Sequence, residues 1–215
     1  MPQPPEKPSR GEARRQAILE AAMTLFLEQG FERTSLSDIL RHSKGSRSTL
    51  YEAFGNKEGL LRAMVREACH RVWDTVDPGA DGEDCPGVSA TREDLTAFGL
   101  HFLRTVMSPG SIAVYRIMAA EGTRFPDIAR QFYDEGPKLL TDRLTAVFRR
   151  GQAEGLLMDG DARLMAQIFI GTLFSDFHVR RTLGLAPVIE EQEMAYRVGV
   201  AVDVFLTGAG RRRGG

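Results

Sequence analysis

The sequence of 215 residues is poor in cysteine, in long apolar runs and in net charge. Two cysteines, Cys69 and Cys85, cannot make a disulfide framework and fit a reducing compartment. The longest apolar candidate, Met165 to Phe174, is broken by Gln167, Gly171 and Thr172 and is followed by Asp176. It falls well short of the roughly 18–20 residues needed to span a bilayer. The opening residues MPQPPEKPSR hold no apolar stretch of the signal-peptide kind, so the expected location is the cytoplasm. Net charge is −1, which by itself gives no argument for a nucleic-acid partner. Alternating strand patterns with turn dipeptides are missing, and the fold class is all-α. The enzyme signatures G-x-S-x-G and H-E-x-x-H and the phosphate-binding glycine motifs are missing too. Glu67 and His70 have the E-x-x-H spacing of half a di-iron bundle. The residues three before His42, His101 and His178 are Ile39, Phe98 and Ser175, so no second pair exists. Cys69-His70 has no companions at zinc spacing. No metal and no cofactor are expected, and the chain does not read as an enzyme.

What is present is unevenly spread. Residues 1–71 carry a net charge of +3 and residues 72–215 a net charge of −4, the mild asymmetry of a basic module on an acidic body. Residues 1–10, with Pro2, Pro4, Pro5 and Pro8, read as a tail. A stretch from Asp77 to Ala90 holds three glycines and two prolines and marks a domain boundary. Residues 208–215, with Arg211, Arg212 and Arg213, read as a second tail. The remainder has helical periodicity. Ile18, Ala21, Ala22, Leu25 and Phe26 make one buried face, opened by a capping-box pair, Ser9 and Glu12, and closed by Gly30. Ser35 and Asp38 open a short second helix. Ser46 caps a third, with Leu50 and Phe54 inward. Asn56 caps a fourth, with Leu60, Leu61, Met64, Val65 and Val72 on its stripe. Further helices are predicted over 91–107, 110–122, 125–154, 161–184 and 189–207, and Pro137 should kink or split the third of these.

The segment Thr34 to Leu61 has the form of a helix-turn-helix. Ile39, Leu40, Leu50 and Phe54 supply the contacts that fix the angle between two short helices. Ser46, Arg47, Ser48 and Thr49 make a small, polar leading turn on the second helix, which lets backbone approach the base edges. Arg41, Lys44, Arg47 and Lys57, against Glu52, put a net +3 on residues 41–57 for phosphate contact.

The same residues resemble the N-terminal DNA-binding domain of TetR-family transcriptional regulators. Members read approximately T-S-V-R-D-I-A-x-x-A-G-V-S-x-G-T-L-Y-x-H-F-x-S-K-E-x-L. Thr34, Ser35, Asp38, Ile39, Ser46, Thr49, Leu50, Tyr51, Phe54, Lys57, Glu58 and Leu60 match. The chain departs at the turn, where Lys44 stands in place of the usual glycine and Gly45 follows it. Either the turn shifts by one residue or Lys44 takes a left-handed conformation. Leu40 replaces a small residue, Ser48 a glycine, and Glu52-Ala53 a frequent aromatic or histidine pair. By this resemblance Tyr51 and Lys57 contact phosphates, and Thr34 caps the first helix of the motif and touches phosphate. Ser46, Arg47, Ser48 and Glu52 sit where base readers lie. The expected DNA-binding set is Thr34, Ser35, Lys44, Ser46, Arg47, Ser48, Thr49, Tyr51, Glu52 and Lys57.

Arg116 to Pro137 resembles the AefR-like C-terminal subgroup of that family. The resemblance implies a DNA-binding domain over 11–71 and a ligand-binding and dimerisation domain over 72–207. It implies a repressor that binds a palindromic operator in double-stranded DNA as a homodimer, released by a small hydrophobic effector. Phe98, Phe102, Met107, Tyr115, Met118, Phe132, Phe169 and Phe174 are the candidate lining of that ligand's cavity. Arg116, Glu121, His101 and His178 are its candidate polar anchors. The last two helices are the dimerisation candidates. Two other readings stay open at this point: a helical adaptor that does not bind DNA, and a redox-responsive regulator using Cys69 and Cys85.

Overall fold

The computed structural model describes residues 9–76, 88–185 and 189–209, with backbone alone for 72–76. Residues 1–8, Cys85 and most of the proposed linker, the Val72 side chain and Arg211 to Arg213 lie outside the described residues. Those described form ten α-helices and no strand: α1 (Arg10–Gln29), α2 (Leu36–Ser43), α3 (Arg47–Phe54), α4 (Lys57–Val76), α5 (Arg92–Val106), α6 (Pro109–Glu121), α7 (Pro126–Tyr133), α8 (Leu139–Ala153), α9 (Ala162–Thr182) and α10 (Glu191–Ala209). No helix among them is long and apolar enough to cross a membrane. They fall into two compact units. The first holds the chain up to Glu67 with Ala113–Ala129, and the second holds Ala68–Ile112 and the chain from Arg130 onward.

The helix starts follow from side chains that satisfy the first free amides. Ser9 and Glu12 form a complete capping box on α1, and Ser35 and Asp38 form one on α2. The Ser46 hydroxyl accepts from the Thr49 amide at the start of α3. Asn56 Oδ1 accepts from the Gly59 amide, 2.7 Å away, at the start of α4. At the other end of α1, Gly30 has φ +83° and donates to the Phe26 carbonyl.

In the first unit the stripes of α1 to α4 meet in a core that includes Ile18, Phe26, Ile39, Leu50, Leu60 and Met64, all buried. Phe31 continues that core, its ring 5.0 Å from Phe26 and 5.0 Å from Phe125. Ion pairs Arg62–Asp127 and Arg124–Glu32 lie at its surface.

In the second unit α5, α8, α9 and α10 surround a phenylalanine cluster. Phe148 stacks on Phe205 at 5.1 Å, and Phe169 stands 5.0 Å from Phe205 and 6.4 Å from Phe98. Gly99 allows the closest approach: a β-carbon there would meet Val198 Cγ1 at 2.8 Å. The helix expected over 125–154 is split. Asp134–Lys138 is a single π turn containing Pro137, which lacks the amide that an α-helix would use there. A second break lies in α9, away from any proline. Ser175, inside α9, has φ 45° and ψ −152°, which kinks the helix.

Candidate nucleic-acid interface

The α2–α3 turn settles the choice that the sequence leaves open. Lys44 has φ 52° and ψ 27°, in the left-handed region, and caps the C-terminus of α2. Gly45 does not need its freedom for φ; it needs the missing β-carbon. An added Cβ would sit 3.0 Å from Ser43 Oγ and 3.1 Å from Ile18 Cγ1, because α1 presses on the turn. The glycine has moved one place and changed its physical task.

α3 then presents two faces. Leu50 and Phe54 are buried, while Ser46, Arg47, Ser48, Tyr51 and Glu52 are exposed. The leading turn is a hydroxyl cluster: Ser46 Oγ lies 3.0 Å from Ser48 Oγ and 2.8 Å from Thr49 Oγ1. Thr49 is half-buried. Tyr51 is 55% exposed, a costly position for an aromatic side chain. Lys44 and Arg47 are exposed and hold no carboxylate among the described residues. Arg41, by contrast, pairs with Asp38. The Ser35 hydroxyl and amide, together with Arg41, hold the Asp38 carboxyl below its ordinary range. A short helix with a serine-led start, free cations beside it and an exposed aromatic one turn on has the dimensions and charge to enter a major groove.

Two expected contacts are corrected. Thr34 is buried, and its hydroxyl donates to the carbonyls of Leu25 and Gly30, so it neither caps α2 nor faces outward. Ser35 is the cap. Lys57 is only half exposed. Its ammonium donates to the carbonyls of Phe31 (2.8 Å), Glu32 (3.3 Å) and Thr34 (3.1 Å) and lies 4.3 Å from the Phe31 ring centre. All three of its N–H groups are committed inside the protein.

The expected ligand set is divided between the two units. Tyr115 and Met118 belong to the first unit and the other six to the second. Phe98, Phe102, Met107 and Phe169 are core, and Phe174 packs against that core. Within the second unit a cleft of about 530 Å³ lies along α5, α9 and α10, and of the expected residues only Met107 lines it. Its other walls include Leu173, Phe177, Tyr196, Arg197 and Val200. The available signal was a second apolar stripe on α10, Tyr196, Val200 and Val204, outside the buried one of Met194, Val198 and Phe205. Elsewhere in this unit His101 Nε2 and Thr182 Oγ1 are buried without a hydrogen-bond partner among the described residues. Burial lowers the pKa of His101, with Arg104 adding to the effect, and burial alone lowers that of His178.

Two features of the rival readings also have a structural place. Glu67 pairs with Arg15 at 3.4 Å. Cys69 is buried, and burial with the neighbouring Glu135 pushes its thiol up to about 12. Such a thiol is almost entirely protonated at neutral pH and is a poor redox sensor.

Comparison with known proteins decides the family. Residues 93–208 match the model of the AefR-like transcriptional repressor C-terminal domain, and residues 18–64 match that of bacterial regulatory proteins of the tetR family. The chain belongs to the TetR family. The HTH-type transcriptional repressor ComR of Escherichia coli K12 is 45% identical over 62 residues, which is 27% of this chain and 30% of ComR. The flavonoid-responsive regulator FrrA is 28% identical in a structural match covering 93% of this chain and 98% of that one, with a TM-score of 0.69. A putative TetR-family regulator from Mesorhizobium loti shares the fold with a TM-score of 0.76 at 20% identity, covering 94% and 100% of the two chains. TetR-family members are DNA-binding transcriptional regulators and not enzymes, and the all-α reading with an N-terminal helix-turn-helix holds for this chain.

Proposed function

We propose that this TetR-family chain is a cytoplasmic repressor that binds a palindromic operator as a homodimer and leaves it when a small hydrophobic ligand binds. The observation that carries the reading is the outward face of α3. Arg47, Ser48, Tyr51 and Glu52 are exposed on one side, ahead of which Ser46 caps the helix and Lys44 stands free. Residues 11–71 are the DNA-binding domain and residues 72–207 the ligand-binding and dimerisation domain. Ser46, Arg47, Ser48 and Glu52 read base edges. Ser35, Lys44, Thr49 and Tyr51 fix the register on the backbone.

Dimerisation is supported by α9 and α10. Leu164, Ile168 and Val179 on α9 and Tyr196, Val200 and Val204 on α10 are all large, apolar and exposed. Exposed apolar stripes on two adjacent helices suit a self-complementary interface with two-fold symmetry. The cleft lies on those same helices and is read as part of that interface. Ligand control is supported by FrrA, which responds to a flavonoid by its name, and by the partnerless polar atoms of His101 and Thr182 inside the second unit.

The test is selection of duplexes from random sequence by the full-length protein. Enrichment of a palindrome with half-sites one or two helical turns apart is expected. A pool that stays unenriched in dilute buffer sinks the reading. A titration of small aromatic compounds against the selected duplex then tests release. Ligands that bind and leave operator affinity unchanged refute that part alone.

A further inference from the structure

The first turns of α1 carry a cluster of cations that the helix-turn-helix reading leaves without a task. Ile18 of α1 touches the position of Gly45, in the turn directly ahead of Ser46. One turn earlier, the Arg15 guanidinium lies 5.4 Å from the ring centre of Phe54, at the end of α3. The same side of α1 therefore runs along the turn and α3. Arg14 precedes Ile18 by four residues and Arg10 precedes Arg14 by four, so the three share one stripe. Arg15 is spent on Phe54 and Glu67. Arg10 and Arg14 are exposed and have no partner among the described residues. The nearest acid in sequence, Glu12, is held by the Ser9 amide at 2.7 Å in the capping box. Beyond them, on the turn that Ile18 touches, stands the free Lys44.

We propose that Arg10 and Arg14 are a second phosphate clamp, gripping the backbone strand at the edge of the groove that α3 enters. Two free guanidiniums on a helix whose next turn packs against the α2–α3 turn are placed for the rim of a major groove and not for its floor. The Ser9–Glu12 box keeps the first turn of α1 folded, so both arginines project from a fixed helix and not from a loose tail. Their charge is spread along a helical turn, and exposed guanidiniums that hold no carboxylate among the described residues keep their attraction for phosphate. This clamp rests on α3 docking in the major groove and adds affinity without adding sequence choice.

The experiment compares the full chain with R10Q/R14Q and R10K/R14K on a duplex that the wild type selects from random sequence and on a scrambled duplex, over a series of KCl concentrations. Each lost phosphate contact reduces the slope of log K against log salt by about 0.9, so R10Q/R14Q should show a slope shallower by about 1.8 per protomer. Its affinity should fall about tenfold at low salt, by the same factor on both duplexes. R10K/R14K should keep most of the slope. A folded R10Q/R14Q protein with unchanged slope overturns the proposal, and so does a loss confined to the selected duplex. Wild-type protein that binds no duplex at all overturns the docking of α3 on which the clamp rests, a result distinct from both.

Discussion

Ile18 and Gly45 meet so closely that the turn of the helix-turn-helix is set by a helix outside it. Ile18 is fully buried, and its Cγ1 lies 3.1 Å from where a β-carbon of residue 45 would be. Ser43 Oγ is as near and can rotate away; the packed isoleucine cannot. Gly45→Ala is therefore expected to cost about 1–2 kcal/mol by overpacking. In an Ile18→Ala background the same change should cost less, with a coupling of at least about 0.5 kcal/mol in denaturant melts. Additive costs would mean that the contact does not set the turn.

Lys57 serves the fold first. Its ammonium ties together the carbonyls of Phe31, Glu32 and Thr34, the loop that leads into α2. Lys57→Met keeps the aliphatic stem and removes the donors. It should destabilise the protein by about 2 kcal/mol, because carbonyls in this partly buried loop lose a charged partner. The salt slope of DNA binding should stay within experimental error of the wild type. A slope that drops by about one unit with unchanged stability would return Lys57 to the phosphate contacts.

Lys44 has the opposite balance. A side chain in the left-handed region is strained by roughly 1 kcal/mol, and nothing among the described residues binds its ammonium. Lys44→Gly should raise the melting temperature by a few degrees. It should also lower DNA affinity and reduce the salt slope by about 0.9 per protomer. Strain retained at a cation that faces outward is the pattern of a position kept for binding.

Local signals were legible in the sequence because their physics is local. The capping boxes of Ser9–Glu12 and Ser35–Asp38, the Asn56 cap and the break near Pro137 all depend on residues within four or five places of each other. What was hidden depends on distant neighbours. Thr34 matches a family position, but only packing against α1 reveals that its hydroxyl points inward to Leu25 and Gly30. The aromatics of the second domain recur at helical spacing, which a core and a cavity share. Phe98 stacks on Phe102 at 6.0 Å and stands tilted 6.4 Å from Phe169, inside the core. The kink at Ser175 has no sequence mark at all, since serine neither breaks a helix nor favours positive φ.

Acid should weaken the second unit in a defined window. His178 is half-buried, with its ring 4.7 Å from Phe174, and burial lowers its pKa in the folded protein. In the unfolded chain it titrates near its ordinary value, about 6.5. Above that pH both states are neutral and the packing contributes in full. As pH falls below about 6.5 the unfolded chain takes up the proton first, so stability drops until the folded group also protonates. His101 is lowered in the same direction and adds to the slope. Melting temperature should therefore fall between about pH 7.5 and 5.5, and His178→Gln should flatten the curve. An equally steep curve in the variant would assign the acid sensitivity elsewhere.

The outer stripe of α10 gives the sharpest test of assembly. Tyr196 is 72% exposed and Val204 62%, with Val200 between them at 45%, and each is four residues from the next. A single chain gains nothing from three large apolar groups in water along one face. Paired across a two-fold axis each would be buried twice, at roughly 25 cal/mol per Å² of apolar surface. Val200→Glu leaves the monomer core of Met194, Val198 and Phe205 intact and places a charge in the centre of the stripe. In light scattering the wild type should run as a dimer and the variant as a folded monomer, with affinity for a palindromic duplex falling at least about a hundredfold as one of two tethered contacts is lost. A variant that remains dimeric would move the interface off α10. A monomeric wild type would leave the stripe to some other partner and remove the reason for expecting a palindrome.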